Sequence, residues 1–152
     1  MDLKIERIVV GNLETNCYIV GNDKHALIID PGDEAEKISD RIKKRKLEYI
    51  LLTHGHYDHL LALENLAKKY PEARICLGEK EIDLCRNLSM QRGFTDEKLT
   101  DLDLGFVGLS EGEKILFAGR EIKVVETPGH TDGGVCYFLD GVLFSGDTLF
   151  QG

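Results

Sequence analysis

The sequence lacks any apolar run long enough to cross a membrane. A membrane-spanning helix needs about 20 consecutive apolar residues, and no stretch of the 152-residue chain approaches that length. The first residues, MDLKIERIVVGN, mix charged with apolar side chains and therefore do not match a secretory signal peptide. These absences predict a cytoplasmic protein that has no membrane partner.

Paired cysteines and an excess of positive charge are also missing. The four cysteines lie far apart without a CxxC pair, which matches neither a disulfide framework nor a zinc ribbon and predicts buried, reduced thiols at Cys17, Cys76, Cys85 and Cys136. The net charge of −8 argues against nucleic acid as a partner, because phosphate binding depends on clustered Lys and Arg. Length and composition thus predict a single acidic, soluble domain over 1–152.

One basic cluster, RIKKRK at 41–46, departs from this acidic balance. Cations are favoured by the helix dipole at the carboxyl end of a helix, where they remain solvated. We therefore expect a solvated helix end here. Nucleic-acid binding is the alternative, and it would appear as an affinity that falls with salt.

Strand and turn patterns predict an antiparallel sheet at the start of the chain. The segments rich in β-forming residues are 4–10, 17–20 and 26–29, with turns at Gly11-Asn12 and Asp30-Pro31-Gly32. Asp33 and Glu36 then match a capping box, and apolar residues follow at helical spacing. The first helix is expected over about 34 to 46.

The middle of the chain alternates between strand and helix patterns. An apolar run at 49–53 is too short for a helix and is typical of a strand buried on both faces. The next elements are predicted to be a helix over 58–70 that stops at Pro71, a strand over 73–77 and a short helix over 79–87. The stretch 89–112 is expected to contain a long loop.

The last part of the chain is rich in β patterns again. Strands are predicted over 115–117, 121–126, 135–139 and 142–145, and Asp140-Gly141 is a strong hairpin turn. Strands, then strand–helix units, then strands indicate one α/β domain.

Three of the five histidines fall in THGHYDH, residues 53–59, where a buried strand gives way to a helix. In extended backbone His54 and His56 point to the same side and can share one cation. The helix start turns Asp58 and His59 in another direction, where they could hold a second cation. Each residue alone has an ordinary explanation, such as an N-cap for Asp58, but the compact set is typical of a zinc or iron site.

Two later segments carry similar residues. His130 lies in the Gly-rich turn of ETPGHTDGG, and Asp147 lies at a strand end in FSGDTLF. Each alone could be an ordinary turn residue. The ordered set of HxHxDH, TPGHT and SGDT resembles the metallo-β-lactamase-fold hydrolases, and within them the glyoxalase II-like (hydroxyacylglutathione hydrolase-like) group. The segments ETNCYIV, IIDPGD and NLS also look like that group, so the resemblance covers nearly the whole chain.

The resemblance implies an αβ/βα sandwich with two divalent metal ions at one edge. Zinc is expected, with iron or manganese as alternatives. Carried over by position, one metal would take His54, His56 and His130, the other would take Asp58 and His59, and Asp147 would bridge them. Asp30 and Thr53 are candidates to support the ligating histidines, although a turn aspartate and a strand-end threonine explain them equally well.

The same resemblance implies hydrolysis of a small-molecule thioester or ester, such as an acylglutathione. A metal-bound hydroxide would be the nucleophile, and Asp58 would orient it as well as bind metal. The alternatives are a phosphodiester-cleaving nuclease and a catalytically silent metal-binding scaffold. Oxygen chemistry is disfavoured, because the di-iron relatives that bind O₂ carry a glutamate where this chain has His56.

The sequence departs from the family pattern after the SGDT segment. Family members continue to a further histidine that completes the second metal site, and glyoxalase II proper adds a helical domain, whereas this sequence stops at Gly152. We therefore expect an incomplete second half of the sandwich, a weaker second metal site and weak turnover. A second copy of the chain could donate the missing ligand, so a homodimer is one expected arrangement.

Overall fold

The computed structural model describes residues 2–94, 99, 101–126, 134–145 and 149–151. Its first sheet has the order β1-β2-β3-β4-β5-β6. These strands are Lys4–Val10, Thr15–Gly21, His25–Ile29, Lys46–Leu51, Arg74–Gly78 and Phe106–Leu109. The first three are antiparallel, as the turn signals predicted, and β3 to β6 are parallel. The carboxyl ends of β3 and β4 therefore meet at one edge of the sheet.

The second sheet is antiparallel, with the order β11-β10-β9-β8-β7. Its strands are β7 Lys114–Phe117, β8 Arg120–Glu126, β9 Val135–Leu139, β10 Val142–Phe144 and β11 Leu149–Gln151. Asp140 and Gly141 both have positive φ, of 49° and 80°, which fits the tight hairpin turn expected between β9 and β10.

The helices lie on the face of the first sheet that is opposite the second sheet. They are α1 Ala35–Ile42, α2 Leu63–Lys69 and α3 Ile82–Arg86, with 3₁₀ turns at Tyr57–His59, Glu79–Glu81 and Leu88–Phe94. Alternation along β2 shows the two layers, because Cys17 and Ile19 pack toward the helices while Tyr18 and Val20 pack toward the second sheet. The predicted α/β sandwich is confirmed. All four cysteines are free and buried, as predicted.

The first helix starts within one residue of its predicted start, but the predicted capping box and the predicted end are wrong. Glu34 adopts a left-handed conformation (φ 57°) without a side-chain cap, so the capping box does not form. Helix α1 ends at Ile42 rather than at residue 46, because Lys43 has φ 60° and Lys46 already pairs with β3. The strand predicted over 49–53 therefore starts earlier, as β4. The Arg45 guanidinium donates to the Ile42 carbonyl, as expected of a cation at a helix end.

The helix predicted over 58–70 is also broken. After the 3₁₀ turn, the backbone N–H groups of Leu61 and Ala62 donate to the carbonyls of Gly32 and Pro31, at 2.9 and 3.1 Å. These bonds to a distant loop replace the helical ones, so the α-helix starts only at Leu63.

The segment expected to be a loop over 89–112 contains the 3₁₀ turn Leu88–Phe94 and strand β6. β6 is short and includes a glycine, so its sequence does not show a clear strand pattern. A Cβ at Gly108 would lie 3.0 Å from the Glu79 side chain, so glycine allows this close approach. The helix predicted over 79–87 is a 3₁₀ turn followed by α3. Within the described ranges, no helix is long and apolar enough to span a membrane.

Candidate metal centre

The HxHxDH segment lies at the edge where β3 and β4 end. These two strands are parallel neighbours, and the Asp30 backbone N–H donates to the Leu51 carbonyl at 3.0 Å. Residues that follow the two strands are therefore brought side by side, although they are more than 20 positions apart in the sequence. Such strand ends are common ligand sites in α/β folds.

Asp30 is the centre of the hydrogen bonds at this edge. Its carboxylate is fully buried and accepts the Thr53 backbone N–H at 2.8 Å and the Thr53 hydroxyl at 2.6 Å. The same carboxylate lies 3.1 Å from Nδ1 of His59. Of the two candidates that the sequence suggested, Asp30 thus contacts a predicted metal ligand directly, and Thr53 holds Asp30 in place.

The bond to Asp30 sets the tautomer of His59. A carboxylate acceptor beside Nδ1 places the proton on that nitrogen, which leaves Nε2 with the lone pair. Nε2 points to the side of Asp58 and lies 3.4 Å from its Oδ2. Metal-binding histidines are commonly held in this way, with one ring nitrogen on a carboxylate and the other directed at the metal.

The three imidazoles of the segment lie together. The ring centroids of His54 and His59 are 4.1 Å apart, and those of His54 and His56 are 5.0 Å apart. The sequence had suggested that His59 turns away from the other two, but its ring is the nearer neighbour of His54. Burial, with the neighbouring His59 adding to it, holds the pKa of His54 below its ordinary value. A neutral imidazole is the form that binds metal.

The position of Asp58 is set by the opening hairpin and by the turn after β3. The Thr15 hydroxyl donates to the Asp58 carbonyl at 2.9 Å. A Cβ at Gly32 would lie 2.5 Å from the same carbonyl oxygen, so only glycine allows this contact. The Asp58 side chain is 29% exposed, which places its carboxylate partly in solvent beside the buried imidazoles.

Two buried polar residues that the sequence gave no reason to select hold the same segment. Gln91 donates from Nε2 to the Gly55 carbonyl at 2.8 Å and accepts the Tyr57 backbone N–H at 2.9 Å, so it joins the residues on either side of His56. Glu81 accepts the Gly55 backbone N–H at 3.3 Å. They lie on either side of the NLS segment, but neither belongs to a segment on which the resemblance was based.

The second sheet secures the strand end before His54. The Tyr137 hydroxyl, buried under this edge, donates to the Leu52 carbonyl at 2.6 Å, and the Val135 backbone N–H donates to the Thr53 carbonyl at 2.9 Å. Burial raises the pKa of Tyr137 well above its ordinary value, so its hydroxyl remains a donor.

Four of the six predicted ligands are described: His54, His56, Asp58 and His59. His130 and Asp147 lie outside the described residues. Among the residues that are described, no group of three or more His, Cys, Asp or Glu side chains is arranged to hold a metal ion. The donor chemistry nevertheless fits a metal, because a carboxylate-bound histidine faces a second carboxylate beside two further imidazoles.

Comparison with known proteins decides the family. Residues 10–152 match the family model described as the Metallo-beta-lactamase superfamily. The chain belongs to this superfamily. The membership that the HxHxDH, TPGHT and SGDT segments predicted is therefore confirmed.

Individual superfamily members show how much of the fold is shared. The chain is 36% identical over 142 residues to "Probable polyketide biosynthesis zinc-dependent hydrolase BaeB" of Bacillus velezensis, with 88% of this chain and 55% of that protein covered. The BLEG-1 B3 metallo-beta-lactamase crystal structure superposes with a TM-score of 0.85 at 32% identity, over 97% of this chain and 74% of the other. For TTHA1623 in a di-iron-bound form, the TM-score is 0.82 at 29% identity, with the same coverage. The chain thus spans about half the length of BaeB.

Proposed function

We propose that this chain is part of a metal-dependent hydrolase that cleaves small thioesters or related esters. The observation that carries the proposal is the position of His59, held at Nδ1 by the buried Asp30 carboxylate and directed at Nε2 toward Asp58. An isolated structural histidine does not need a second carboxylate at its other nitrogen and two further imidazoles beside it. This arrangement favours a hydrolytic metal centre over a silent scaffold.

The proposed ligands are those that the motif carries. His54, His56 and His130 would hold one ion, Asp58 and His59 the other, and Asp147 would bridge the two. Among similar proteins, BaeB is named as zinc-dependent and TTHA1623 was solved with two irons. We therefore propose two divalent ions, either zinc or iron.

The bound metal would supply the nucleophile, because a dication lowers the pKa of a coordinated water from ~16 to near 7. The protein's own groups position the reactants. The partly exposed Asp58 carboxylate would accept a hydrogen bond from the attacking water and so orient it. The buried Asp30 and Thr53 keep His59 fixed.

Thiol groups of the described residues are poor candidates for a competing nucleophile. Burial raises the pKa of Cys76 to about 11 and that of Cys85 to about 12. Both thiols therefore remain protonated at neutral pH, and a protonated thiol is a weak nucleophile. This supports attack by water over an acylated cysteine.

The sequence motifs favour one substrate class. They resemble the glyoxalase II-like hydrolases, which favours a thioester. The similarity to BLEG-1, named as a B3 metallo-beta-lactamase, makes the amide of a β-lactam the second candidate.

A metal titration tests the proposal. We expect His56→Ala to lower the amount of zinc or iron bound per chain, because the affinity for the metal should fall by about 10- to 100-fold. His25→Ala should leave binding unchanged, because His25 lies at the other end of β3 and pairs with Glu48. Elemental analysis after dialysis measures the metal content. Equal metal content in both variants would contradict the ligand assignment.

A hydrolysis assay tests the reaction class. Metal-loaded protein is assayed on three bond types. These are the thioester bond, followed by thiol release, the β-lactam amide, followed by nitrocefin opening, and the phosphodiester bond, followed by cleavage of bis(p-nitrophenyl) phosphate. Solvent ¹⁸O should appear in the acid product, with no acylated side chain in the mass spectrum. A trapped acyl-enzyme would be evidence against attack by water.

A further inference from the structure

A cavity of about 240 Å³ opens beside the proposed metal ligands. It is lined by His56, Tyr57, Asp58, Leu84 and Gln91. Two of these residues, His56 and Asp58, are proposed metal ligands, so whatever occupies the cavity lies next to the reacting centre. The other three have no role in the chemistry proposed above.

The wall opposite the motif is built by α3 and by Gln91. A Cβ on Gly55 would lie 3.3 Å from Cγ of Leu84 and 3.2 Å from the Cys85 backbone nitrogen, so the missing side chain lets α3 approach the metal-binding loop. Leu84 is thereby held at the cavity as an apolar surface. Both ends of the Gln91 amide are engaged by the backbone of Gly55 and Tyr57, so this residue acts mainly as a wall.

The charges around the cavity indicate what it can hold. Among the residues that the structure describes, its lining includes no lysine or arginine. Leu84 and the ring of Tyr57 favour an apolar group.

The size of the cavity limits the length of that group. A water molecule occupies about 30 Å³ in the liquid, so a cavity of 240 Å³ corresponds to roughly eight water molecules. A straight acyl chain of about six to eight non-hydrogen atoms would fill it. Longer chains would have to leave part of their apolar surface in water.

We propose that this cavity is the acyl subsite and that the enzyme prefers short, apolar acyl chains. The carbonyl carbon would lie by His56 and Asp58, and the chain would extend toward Leu84. Water adds to that carbon, the C–S or C–O bond breaks, and the thiol or alcohol leaves with a proton. The inference rests on the proposed hydrolase function and specifies its substrate.

A chain-length series tests the subsite. Metal-loaded protein is assayed with N-acetylcysteamine thioesters from acetyl to decanoyl. We expect kcat/KM to rise about fourfold for each methylene that enters the cavity, from ~0.8 kcal/mol per buried methylene, and then to level off or fall. Leu84→Phe should move the optimum to shorter chains, and Leu84→Ala should move it to longer ones.

Leu116→Ala serves as the control, because Leu116 is an exposed leucine on β7 in the second sheet. Its chain-length profile should match that of the wild type. Identical profiles in the wild type and both Leu84 variants, with circular dichroism showing folded protein, would overturn the proposal.

A second measurement does not depend on catalysis. Hexan-1-ol is titrated into metal-free protein while NMR follows the Gln91 side-chain amide and the Tyr57 backbone amide. Saturable shifts at both positions that weaken at least tenfold in Leu84→Phe would support the subsite, and their absence in the wild type would overturn it. If no ester or thioester is hydrolysed, the proposed function fails, and this titration still decides whether the cavity takes an apolar chain.

Discussion

Asp30→Asn is the substitution that most directly tests how this site is built. The variant keeps the size of the side chain and leaves one oxygen to accept the Thr53 backbone N–H. It replaces the other oxygen, which serves the Thr53 hydroxyl and Nδ1 of His59 at 2.6 and 3.1 Å, with an NH₂ group. The Thr53 hydroxyl can rotate to accept from this group, whereas His59 must move its proton from Nδ1 to Nε2.

The expected magnitudes follow from these contacts. Moving the proton to Nε2 of His59 removes the lone pair that faces Asp58, and loss of such supporting carboxylates costs 10- to 100-fold in metal affinity, or about 1.4 to 2.7 kcal/mol. Metal-free protein should also lose about 1 to 3 kcal/mol in free energy of unfolding, because two buried hydrogen bonds to a charged group are replaced by weaker ones.

Three measurements on Asp30→Asn check the prediction. Competition with a chromophoric chelator gives the metal affinity, urea unfolding gives the stability, and long-range ¹H–¹⁵N NMR gives the tautomer of His59. Asp33→Asn is the matched control, since Asp33 is a nearby aspartate whose half-buried side chain accepts the backbone N–H of the adjacent Glu34. It should change stability by no more than about 0.5 kcal/mol. Wild-type metal affinity together with an unchanged His59 tautomer in Asp30→Asn would refute the reasoning.

Two further predictions concern the same edge of the sheet. Gly32→Ala should lower the free energy of unfolding by about 1 to 3 kcal/mol and weaken metal binding, because its Cβ would lie 2.5 Å from the Asp58 carbonyl oxygen. Gly105→Ala is the control, because a Cβ at Gly105 would meet open space. Equal urea midpoints in the two variants would contradict the prediction. Metal-free protein should lose stability as pH falls below about 6.5, by at most ~1.4 kcal/mol per pH unit. The reason is that burial lowers the pKa of His54 in the folded protein, so that just below pH 6.5 the His54 imidazole takes up a proton only in the unfolded chain. His54→Gln should flatten this dependence and His25→Gln should not, as denaturant unfolding at pH 5.5 and 7.5 will show.

Strand positions were predictable because they depend on local patterns. Residues 4–10 and 135–139 form β1 and β9 with the predicted bounds. Their β-forming residues and the turns that flank them suffice, because a strand in a buried sheet needs only apolar side chains on the correct faces. The Asp140-Gly141 turn likewise carries its own conformational preference.

Helix bounds were less predictable because distant backbone groups compete for the hydrogen bonds. Leu61 and Ala62 donate to the carbonyls of Gly32 and Pro31, some 30 residues earlier in the chain. Nothing in the periodicity of 58–70 indicates that competition. The helix therefore starts later than its apolar pattern suggests.

The HxHxDH motif was evident in the sequence alone, because its residues are neighbours and their chemistry does not depend on the fold. HxHxDH together with TPGHT and SGDT sufficed to identify the superfamily. Only the tertiary structure decided which residues support the motif. Parallel pairing of β3 with β4 brings Asp30 to His59. The Leu88–Phe94 turn brings Gln91 to Gly55. The residues in these two contacts are 29 and 36 positions apart, respectively. Hydrophobic periodicity describes only local structure, so it does not predict which residues meet across such a separation.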